Sequence, residues 1–184
     1  MVGAKRLRVG AAALAAGWLG LAPAAPAKTV QGMVTAVTAG DTVTLTLADQ
    51  KQVSVRLRDI DAPESCQPWG AEARVALSTL ALNKVATLHA SGRDGQGQTV
   101  GNLMLDDLNV SRFLVENGHA WSVRTRWDQG PLVKQEKMAR ALTRGLHAQP
   151  GAVQPKDFRR LHGRCAEVSD STTATAAPAA AAKK

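Results

Sequence analysis

The sequence predicts an α+β protein in which five short strands form a small Greek-key β-barrel accompanied by about three helices. Two observations lead to this prediction. Apolar residues alternate with period two through the first part of the folded region, and from Gly70 they recur at helical spacing instead. The predicted elements follow one another with short turns between them, and no internal repeat interrupts their order.

The first three strands are predicted from alternation. Residues 30–37 end at a break formed by Ala39 and Gly40, and residues 42–47 alternate hydroxyl-bearing and apolar side chains. After a polar turn at residues 48–50, residues 52–58 alternate again. Strict alternation is typical of a half-buried strand, and two such runs across a short turn predict a hairpin.

The period changes in the second part. Residues 70–82 are predicted to form a helix, because apolar residues between Ala73 and Leu80 recur at helical spacing. The remaining elements are strands at 84–90 and 100–105 around a glycine-rich turn at 92–97, and helices at 109–117 and 132–144. Five strands with an intervening helix suit a barrel of the OB-fold type.

The first 27 residues have the pattern of a secretory signal peptide. Lys5, Arg6 and Arg8 precede an apolar run at residues 9–21, and Ala25-Pro26-Ala27 offers a cleavage site. The apolar run is too short to span a bilayer comfortably. We therefore expect a periplasmic or secreted protein with no membrane anchor after cleavage.

The folded domain is expected over residues 28–168. Residues 169–184 contain Ser, Thr, Ala and Pro with no large apolar side chain, so we predict a disordered tail. The chain has a net charge of +8, and the domain stays basic without the leader's three cations. A basic domain can attract a polyanion. It can equally be a soluble basic surface with no partner, and charge alone does not decide.

Cys66 and Cys165 are the two cysteines of the chain, and they form no Cys-x-x-Cys pair. In an exported protein a small, even number of cysteines favours a disulfide over a metal site. The prediction is a Cys66–Cys165 bridge between the loop after the candidate site and the C-terminal segment. The alternative is two unpaired buried thiols.

Three acids are candidates for chemistry. Asp61 and Glu64 lie in a turn directly after a strand, where Pro63 makes the backbone rigid, and Asp41 begins the neighbouring strand. Carboxylate oxygens at two strand ends can together bind Ca²⁺ or Mg²⁺ rather than zinc. The alternative is that each acid only caps a turn.

Arg56 adds a cation beside these acids. On the third strand it shares the polar face with Ser54 and Arg58. A guanidinium can bind a phosphate through two parallel hydrogen bonds. Metal-binding carboxylates, a further carboxylate and an arginine are together what metal-assisted phosphodiester hydrolysis requires.

With these residues the chain resembles the staphylococcal nuclease-like family over residues 33 to about 159. The matching pieces are residues 40–42, 56–57, 60–64, 67–70, 72–73, 109–110, 114–115, 118–121, 136, 139–140, 145–146 and 155–159. The Asp-x-Pro-Glu turn at a fixed distance after the arginine is the specific part of the pattern. The later pieces are individually weak but occur in the family's order.

The resemblance implies a role for each matched residue. Asp41 and Asp61 would ligate Ca²⁺ with the backbone carbonyl of Ala62. Glu64 would orient or deprotonate the attacking water, and Arg56 would hold the scissile phosphate. Enzymes of this family cut DNA and RNA at the bond to the 5′ oxygen and leave 3′-phosphate ends.

The chain departs from the family where a second catalytic arginine is usual. That position holds Gln98, and the aromatic position two residues earlier holds Gln96. Glutamine can donate a hydrogen bond but carries no charge. Ala39 stands where many relatives have an aspartate near the metal, which would weaken calcium binding, and His147 replaces a tryptophan, which would affect packing.

Two other arginines could supply the missing charge. Arg58 follows Arg56 by two positions on the same strand, and Arg93 lies before the altered segment. Arg58 is the preferred substitute because a strand fixes a side chain better than a glycine-rich loop. The alternative is that Arg58 is a solvated surface cation.

The sequence thus predicts an exported, monomeric, calcium-dependent nuclease that acts on single-stranded DNA or RNA and is slowed by Gln98. One alternative is a catalytically impaired OB module that binds nucleic acid or protein, and another is a structural role in the envelope. His89, His119, His147 and His162 show no pairing or neighbouring nucleophile, so they are expected to have packing or surface roles.

Overall fold

The computed structural model describes residues 28–125, 130–163 and 165. The predicted signal peptide and the predicted tail at residues 169–184 lie outside the described residues. Among the described helices, none combines the length and the apolar character that crossing a membrane would require.

A closed five-stranded barrel forms the centre of the domain, which confirms the predicted fold class. The strands of the described chain are β1 (Lys28–Ala39), β2 (Thr42–Leu47), β3 (Gln52–Leu57), β4 (Ile60–Asp61), β5 (Val85–Arg93), β6 (Thr99–Leu105), β7 (Leu108–Asn109) and β8 (Trp121–Ser122). In the barrel the order is β3-β2-β1-β5-β6, and a parallel pairing of β3 with β6 closes it. β4 and β8 form a separate antiparallel pair.

The barrel closes because β1 is long enough to pair with two neighbouring strands. Its first half pairs with β5 and its second half with β2. Register irregularities after Val34 and Val37 bend the strand between these partners. The alternating apolar residues fill the interior, where Val34, Val43, Leu45, Val55, Leu57, Leu88 and Leu103 are almost completely buried.

The helices cover the ends and one side of the barrel. They are α1 (Gly70–Ala81), α2 (Val110–Glu116), α3 (Val133–Ala141) and α4 (Pro155–His162), with a short 3₁₀ helix at Gly145–Ala148. α1 buries Ala73, Leu77 and Ala81 against the barrel, as its periodicity predicts. Asn109 begins α2 by accepting a hydrogen bond from the backbone of Arg112.

α4 was not predicted, so the described chain has four helices instead of about three. Its eight residues include only Phe158 and Leu161 as large apolar side chains, and Leu161 is exposed. These two apolar residues share one face, but eight residues are too few to show a repeating helical pattern in the sequence. Pro155 at its start is the one local sign, because proline suits the first turn of a helix.

Three elements have bounds that differ clearly from those predicted. β1 covers Lys28–Ala39 instead of 30–37. α3 ends at Ala141 instead of 144, because the chain must turn at Gly145, whose backbone lies against Gly118: a Cβ on Gly145 would be 2.2 Å from the Gly118 oxygen. β5 continues to Arg93 instead of ending at 90, since its pairing with β6 resumes after an irregularity at residues 90–92. The turn is therefore restricted to residues 94–98.

Candidate active site

The candidate site is a cleft of about 400 Å³ at one end of the barrel, between β2, β3, the loop after β4, and α4. Asp41, Arg56, Glu64, Arg74 and Arg159 are the charged residues that line it. Gln96 and Gln98 lie on its wall, next to Ser54. Asp41, Arg56 and Glu64 are predicted from the sequence as site residues, whereas Arg74 and Arg159 are not.

Asp41 is the most deeply placed acid of the site. It precedes β2, and its carboxylate accepts a hydrogen bond from the Thr42 hydroxyl at 2.9 Å. Burial raises the pKa of Asp41, although the neighbouring Arg56 and the Thr42 hydrogen bond act in the opposite direction. A buried carboxylate in this state is stabilised in its charged form by a cation.

Asp61 is brought to Asp41 by the fold. It lies in β4, whose pairing with Trp121 of β8 fixes its backbone. One nitrogen, Nη2 of Arg56, lies 3.1 Å from Oδ1 of Asp61 and 3.5 Å from Oδ2 of Asp41. The two acids that the sequence placed on different strand ends therefore converge on a single guanidinium.

The donor chemistry of this pair fits a hard divalent cation. Two carboxylates converge, and the backbone of Ala62 is close enough to hydrogen-bond to Asp41. Among the described residues, no group of three or more His, Cys, Asp or Glu side chains is arranged to hold a metal ion. A cation here would therefore take two carboxylates and complete its shell with carbonyl oxygens and water, as Mg²⁺ and Ca²⁺ do.

Glu64 lies in the turn after β4, on the other side of Asp61. Its backbone N–H donates to the Gln67 side chain at 3.2 Å, and its carbonyl accepts from the Gln67 backbone at 2.9 Å. Its side chain is about a quarter exposed. A fixed, partly solvated carboxylate beside a candidate cation site can accept a proton from water.

Arg159 is the functional candidate that sequence analysis missed. From α4 its Nη1 lies 2.7 Å from Oε1 of Glu64 and 3.1 Å from Oδ1 of Asp61, and its Nη2 lies 2.8 Å from Oδ2 of Asp61. Its hydrogen bond with Asp61 is the main reason that the pKa of Arg159 is raised. The contacting residues are 95 and 98 positions apart in the sequence, so no local sequence pattern could predict these contacts.

α4 is fastened to the turn that carries Glu64. Before the helix, the Val153 carbonyl accepts a hydrogen bond from Gln67 at 2.6 Å. After it, Cys165 forms the predicted disulfide with Cys66, with the two Cα atoms 5.7 Å apart. Both attachments reach residues 66–67, so the segment carrying Arg159 is held against the cleft at both ends.

Gln98, at the position of the family's second arginine, lines the cleft, but its side-chain amide is already hydrogen-bonded. Gln98 donates from Nε2 to the Ser54 hydroxyl at 3.0 Å, and its backbone N–H donates to Asp94. Gln96 lines the same wall. The amide of Gln98 therefore stabilises the join between β3 and β6.

The structure does not bring the two predicted substitutes into the cleft. Arg58 follows the end of β3, is half-exposed and pairs with Asp59 at 3.3 Å. Arg93 donates to the Gly97 carbonyl at 2.8 Å within its own turn. Neither side chain lines the described part of the cleft.

The other predicted positions have these surroundings. Ala39 lines the cleft, and the four histidines do not. His147 packs edge-on against Trp121, and His119 accepts a hydrogen bond from the Trp69 indole at 3.3 Å. Burial lowers the pKa of both His119 and His147.

Known proteins resemble this chain over the same region. Residues 54–149 match the model of the family described as staphylococcal nuclease homologue. Protein ParB of Escherichia coli is 34% identical over 142 residues, covering 71% of this chain and 80% of its own. Micrococcal nuclease of Shigella flexneri is 31% identical over 141 residues, again covering 71% and 80%.

A plant relative matches a shorter part. Probable staphylococcal-like nuclease CAN1 of Oryza sativa subsp. japonica is 37% identical over 111 residues, covering 60% of this chain and 33% of its own. The matching region thus spans about a third of that plant protein. The family match at residues 54–149 ends before α4, so Arg159 lies beyond it.

Proposed function

The chain belongs to the staphylococcal nuclease family, and from that membership we propose that it is a metal-dependent phosphodiesterase that hydrolyses DNA or RNA. The observation that supports this most is that Asp41, Arg56 and Glu64 line one cleft and that Asp61 contacts the same Arg56 guanidinium as Asp41. Each of these residues has a distinct use in phosphodiester hydrolysis, and the basic chain favours a polyanionic substrate.

Asp41 and Asp61 would hold the cation with the backbone carbonyl of Ala62, and we propose Ca²⁺ as that cation. When bound, it would polarise a phosphate oxygen and offset the negative charge that builds up on the phosphate. Ala39, on the cleft wall, adds no carboxylate to this set. Few protein ligands imply modest affinity, which agrees with the weak binding expected from the sequence.

Glu64 would act on the attacking water. Its carboxylate accepts one water proton as the water oxygen bonds to phosphorus, and the bond from phosphorus to the 5′ oxygen breaks. That oxygen leaves with a proton from solvent, and the product strand keeps a 3′-phosphate. Arg56 would donate two hydrogen bonds to the phosphate oxygens throughout.

We further propose that the protein is exported to an oxidising compartment, the periplasm or the exterior. The Cys66–Cys165 disulfide supports this, because such bonds persist where thiols are not kept reduced. The basic and apolar leader, which lies outside the described residues, has the pattern that export requires.

A second function, binding without cleavage, is favoured by one observation. The position of the second arginine holds Gln98, whose amide is engaged by Ser54. If no other cation took its place, the site would lose a charge that stabilises the transition state. The retention of Asp41, Arg56, Asp61 and Glu64 in one cleft still favours the enzyme.

Cleavage of labelled single-stranded DNA and RNA by the purified exported chain separates the two functions. We expect cleavage with calcium, none with a chelator, and strong loss in Asp41→Asn. Asp107→Asn, which alters an exposed acid at the turn after β6, is the matched control and should cleave normally. Binding without cleavage under every condition would instead identify a binding module.

A further inference from the structure

We propose that Arg159 supplies the second phosphate-contacting guanidinium of this site, in place of the arginine that Gln98 replaces. This inference rests on the proposed phosphodiesterase function. It assigns a role to a residue of α4, which lies beyond residues 54–149, the range that matches the family model. Four features of the described site support it: charge, geometry, attachment and exposure.

Arg159 adds a positive charge to the cleft. Among the described residues, the acids Asp41 and Glu64 and the arginines Arg56, Arg74 and Arg159 line the cleft. A third acid, Asp61, contacts Arg56 and Arg159. Without Arg159 the acids would exceed the arginines, and a phosphodiester would meet less positive charge. Arg159 therefore restores the balance that a neutral Gln98 leaves short.

The geometry brings Arg159 and Arg56 to the same carboxylate oxygen. Nη2 of Arg56 and Nη1 of Arg159 each lie 3.1 Å from the same atom, Oδ1 of Asp61. The two guanidinium groups thus approach one point of the site from different elements, β3 and α4. A phosphate beside Asp61 would therefore have two planar guanidinium groups within reach, and each can donate two parallel hydrogen bonds to its oxygens.

The attachment of α4 keeps this position. The Gln67–Val153 hydrogen bond and the Cys66–Cys165 disulfide fix both ends of the segment to the turn that follows Glu64. A guanidinium on a flexible tail would lose much conformational entropy on binding phosphate. In this fold both ends of the segment are already fixed, so the Arg159 side chain is preorganised although it is far in sequence from Asp61 and Glu64.

The side chain of Arg159 also remains within reach of a ligand. It is 24% exposed, in the same range as the 29% of Arg56. In the free protein its donors serve Asp61 and Glu64. Once Asp61 is engaged by a cation, that acceptor is satisfied, and the guanidinium can donate to a phosphate oxygen while still contacting Glu64.

The test compares turnover of Arg159→Gln with that of Arg160→Gln on labelled single-stranded DNA in calcium. Arg160 is the matched control, since it is the next residue of α4, is largely exposed and pairs with Asp157. We expect Arg159→Gln to lower kcat about 10²- to 10³-fold, the usual effect of removing a transition-state donor. Arg160→Gln should stay close to wild type, and thermal melting should confirm that both variants fold.

Two further measurements distinguish phosphate contact from a structural role. Free guanidinium at non-denaturing concentration should partly restore turnover to Arg159→Gly, and Arg159→Lys should retain part of it. In a Glu64→Gln background, which does not cleave, binding of labelled single-stranded DNA is followed by anisotropy at several salt concentrations. Loss of Arg159 should reduce the slope of log K against log salt by about 0.7, the value for one phosphate contact.

Unchanged or faster cleavage by Arg159→Gln would overturn the proposal, and faster cleavage would mean that Arg159 blocks the site. Loss of turnover in Arg58→Gln with none in Arg159→Gln would assign the role to Arg58 instead. If the wild-type chain binds DNA but cleaves nothing, the proposed function fails, and the salt dependence still decides whether Arg159 contacts phosphate. An unchanged salt slope would then reject it.

Discussion

Arg159 donates a hydrogen bond to Glu64 at 2.7 Å, although the two residues are 95 positions apart. The contact joins α4 to the acid proposed to activate water. It also explains why the turn after Glu64 is attached to α4 by a disulfide and by the Gln67–Val153 hydrogen bond. The C-terminal segment is therefore part of the candidate site.

Reducing the disulfide should lower both stability and turnover. Cys66→Ser with Cys165→Ser opens a loop of 99 positions, and loss of such a bridge typically lowers the free energy of unfolding by about 2–4 kcal/mol. Urea unfolding of the oxidised and double-variant proteins measures this. Turnover should also fall, because α4 loses one of its two attachments. Equal unfolding midpoints and equal turnover of the two proteins would show that the disulfide neither stabilises the fold nor positions α4.

Glu136→Gln should be strongly destabilising. Glu136 is completely buried and accepts hydrogen bonds from Arg124 at 2.6 Å, Arg140 at 3.0 Å and the Ser122 backbone at 3.0 Å. The neutral amide weakens the hydrogen bonds to two partly exposed arginines and to the Ser122 backbone, so we expect the free energy of unfolding to fall by about 1–3 kcal/mol.

Glu116→Gln is the control for this change, since Glu116 pairs with Arg112 on the exposed face of α2. An exposed pair of this kind contributes only about 0.3–0.5 kcal/mol. Similar unfolding midpoints for the two variants would contradict the structural role given to Glu136.

Gly70→Ala should damage the site through its backbone. A Cβ at residue 70 would be 2.0 Å from the carbonyl oxygen of Glu64, so α1 and the turn carrying Glu64 could not both keep their positions. We expect a loss of about 1–3 kcal/mol in stability, typical of overpacking, together with reduced turnover. Gly95→Ala is the control, because a Cβ there meets nothing within 4 Å. Chemical unfolding and a cleavage assay on both variants provide the comparison.

Stability should decline in mild acid partly through His119. Burial lowers the pKa of His119 below its ordinary value of about 6.5, so the unfolded chain binds a proton more readily than the folded one. The contribution of His119 to the free energy of unfolding is fully present above its pKa in the unfolded chain. It is lost as pH falls from about 6.5 towards its pKa in the folded protein. Protonation would also remove the acceptor that His119 offers to Trp69.

His119→Gln should therefore reduce the decline in unfolding free energy between neutral and mildly acidic pH, measured by urea titration at each pH. His89→Gln, at an exposed position of β5, is the control. His147, whose pKa burial also lowers, contributes to the remaining decline. If the unfolding free energy of His119→Gln falls with pH as much as that of wild type, His119 is not the cause of the decline.

The sequence predicted the barrel and most of the site because their determinants are local. Alternation over residues 42–47 matched β2 in full, and Asp61 and Glu64 follow β3 so closely that their position depends on that strand. Arg56 was placed on the correct strand for the same reason, and Asp41, predicted to begin a strand, lies directly before β2. Their mutual distances then followed from hairpin pairing, in which Thr42 lies opposite Arg56.

The rest depends on contacts that no local pattern encodes. Alternation placed Arg58 on the face of Arg56, but β3 ends at Leu57 and Asp59 has a φ of 68°, which turns the chain there. Arg159 could not be found because α4 is short and polar, and its partners are about half the chain away. The family resemblance over residues 155–159 and the predicted disulfide at Cys165 were the sequence features that could have drawn attention to it.

The most direct measurement of the central claim is the rate of calcium-dependent DNA cleavage by Glu64→Gln, beside wild type and Glu72→Gln. Glu72 is an exposed acid in the first turn of α1 and serves as the matched control. The account predicts that Glu64→Gln lowers the rate about 10²- to 10⁴-fold, as loss of a general base does, while Glu72→Gln cleaves normally. Wild-type cleavage by Glu64→Gln would contradict it.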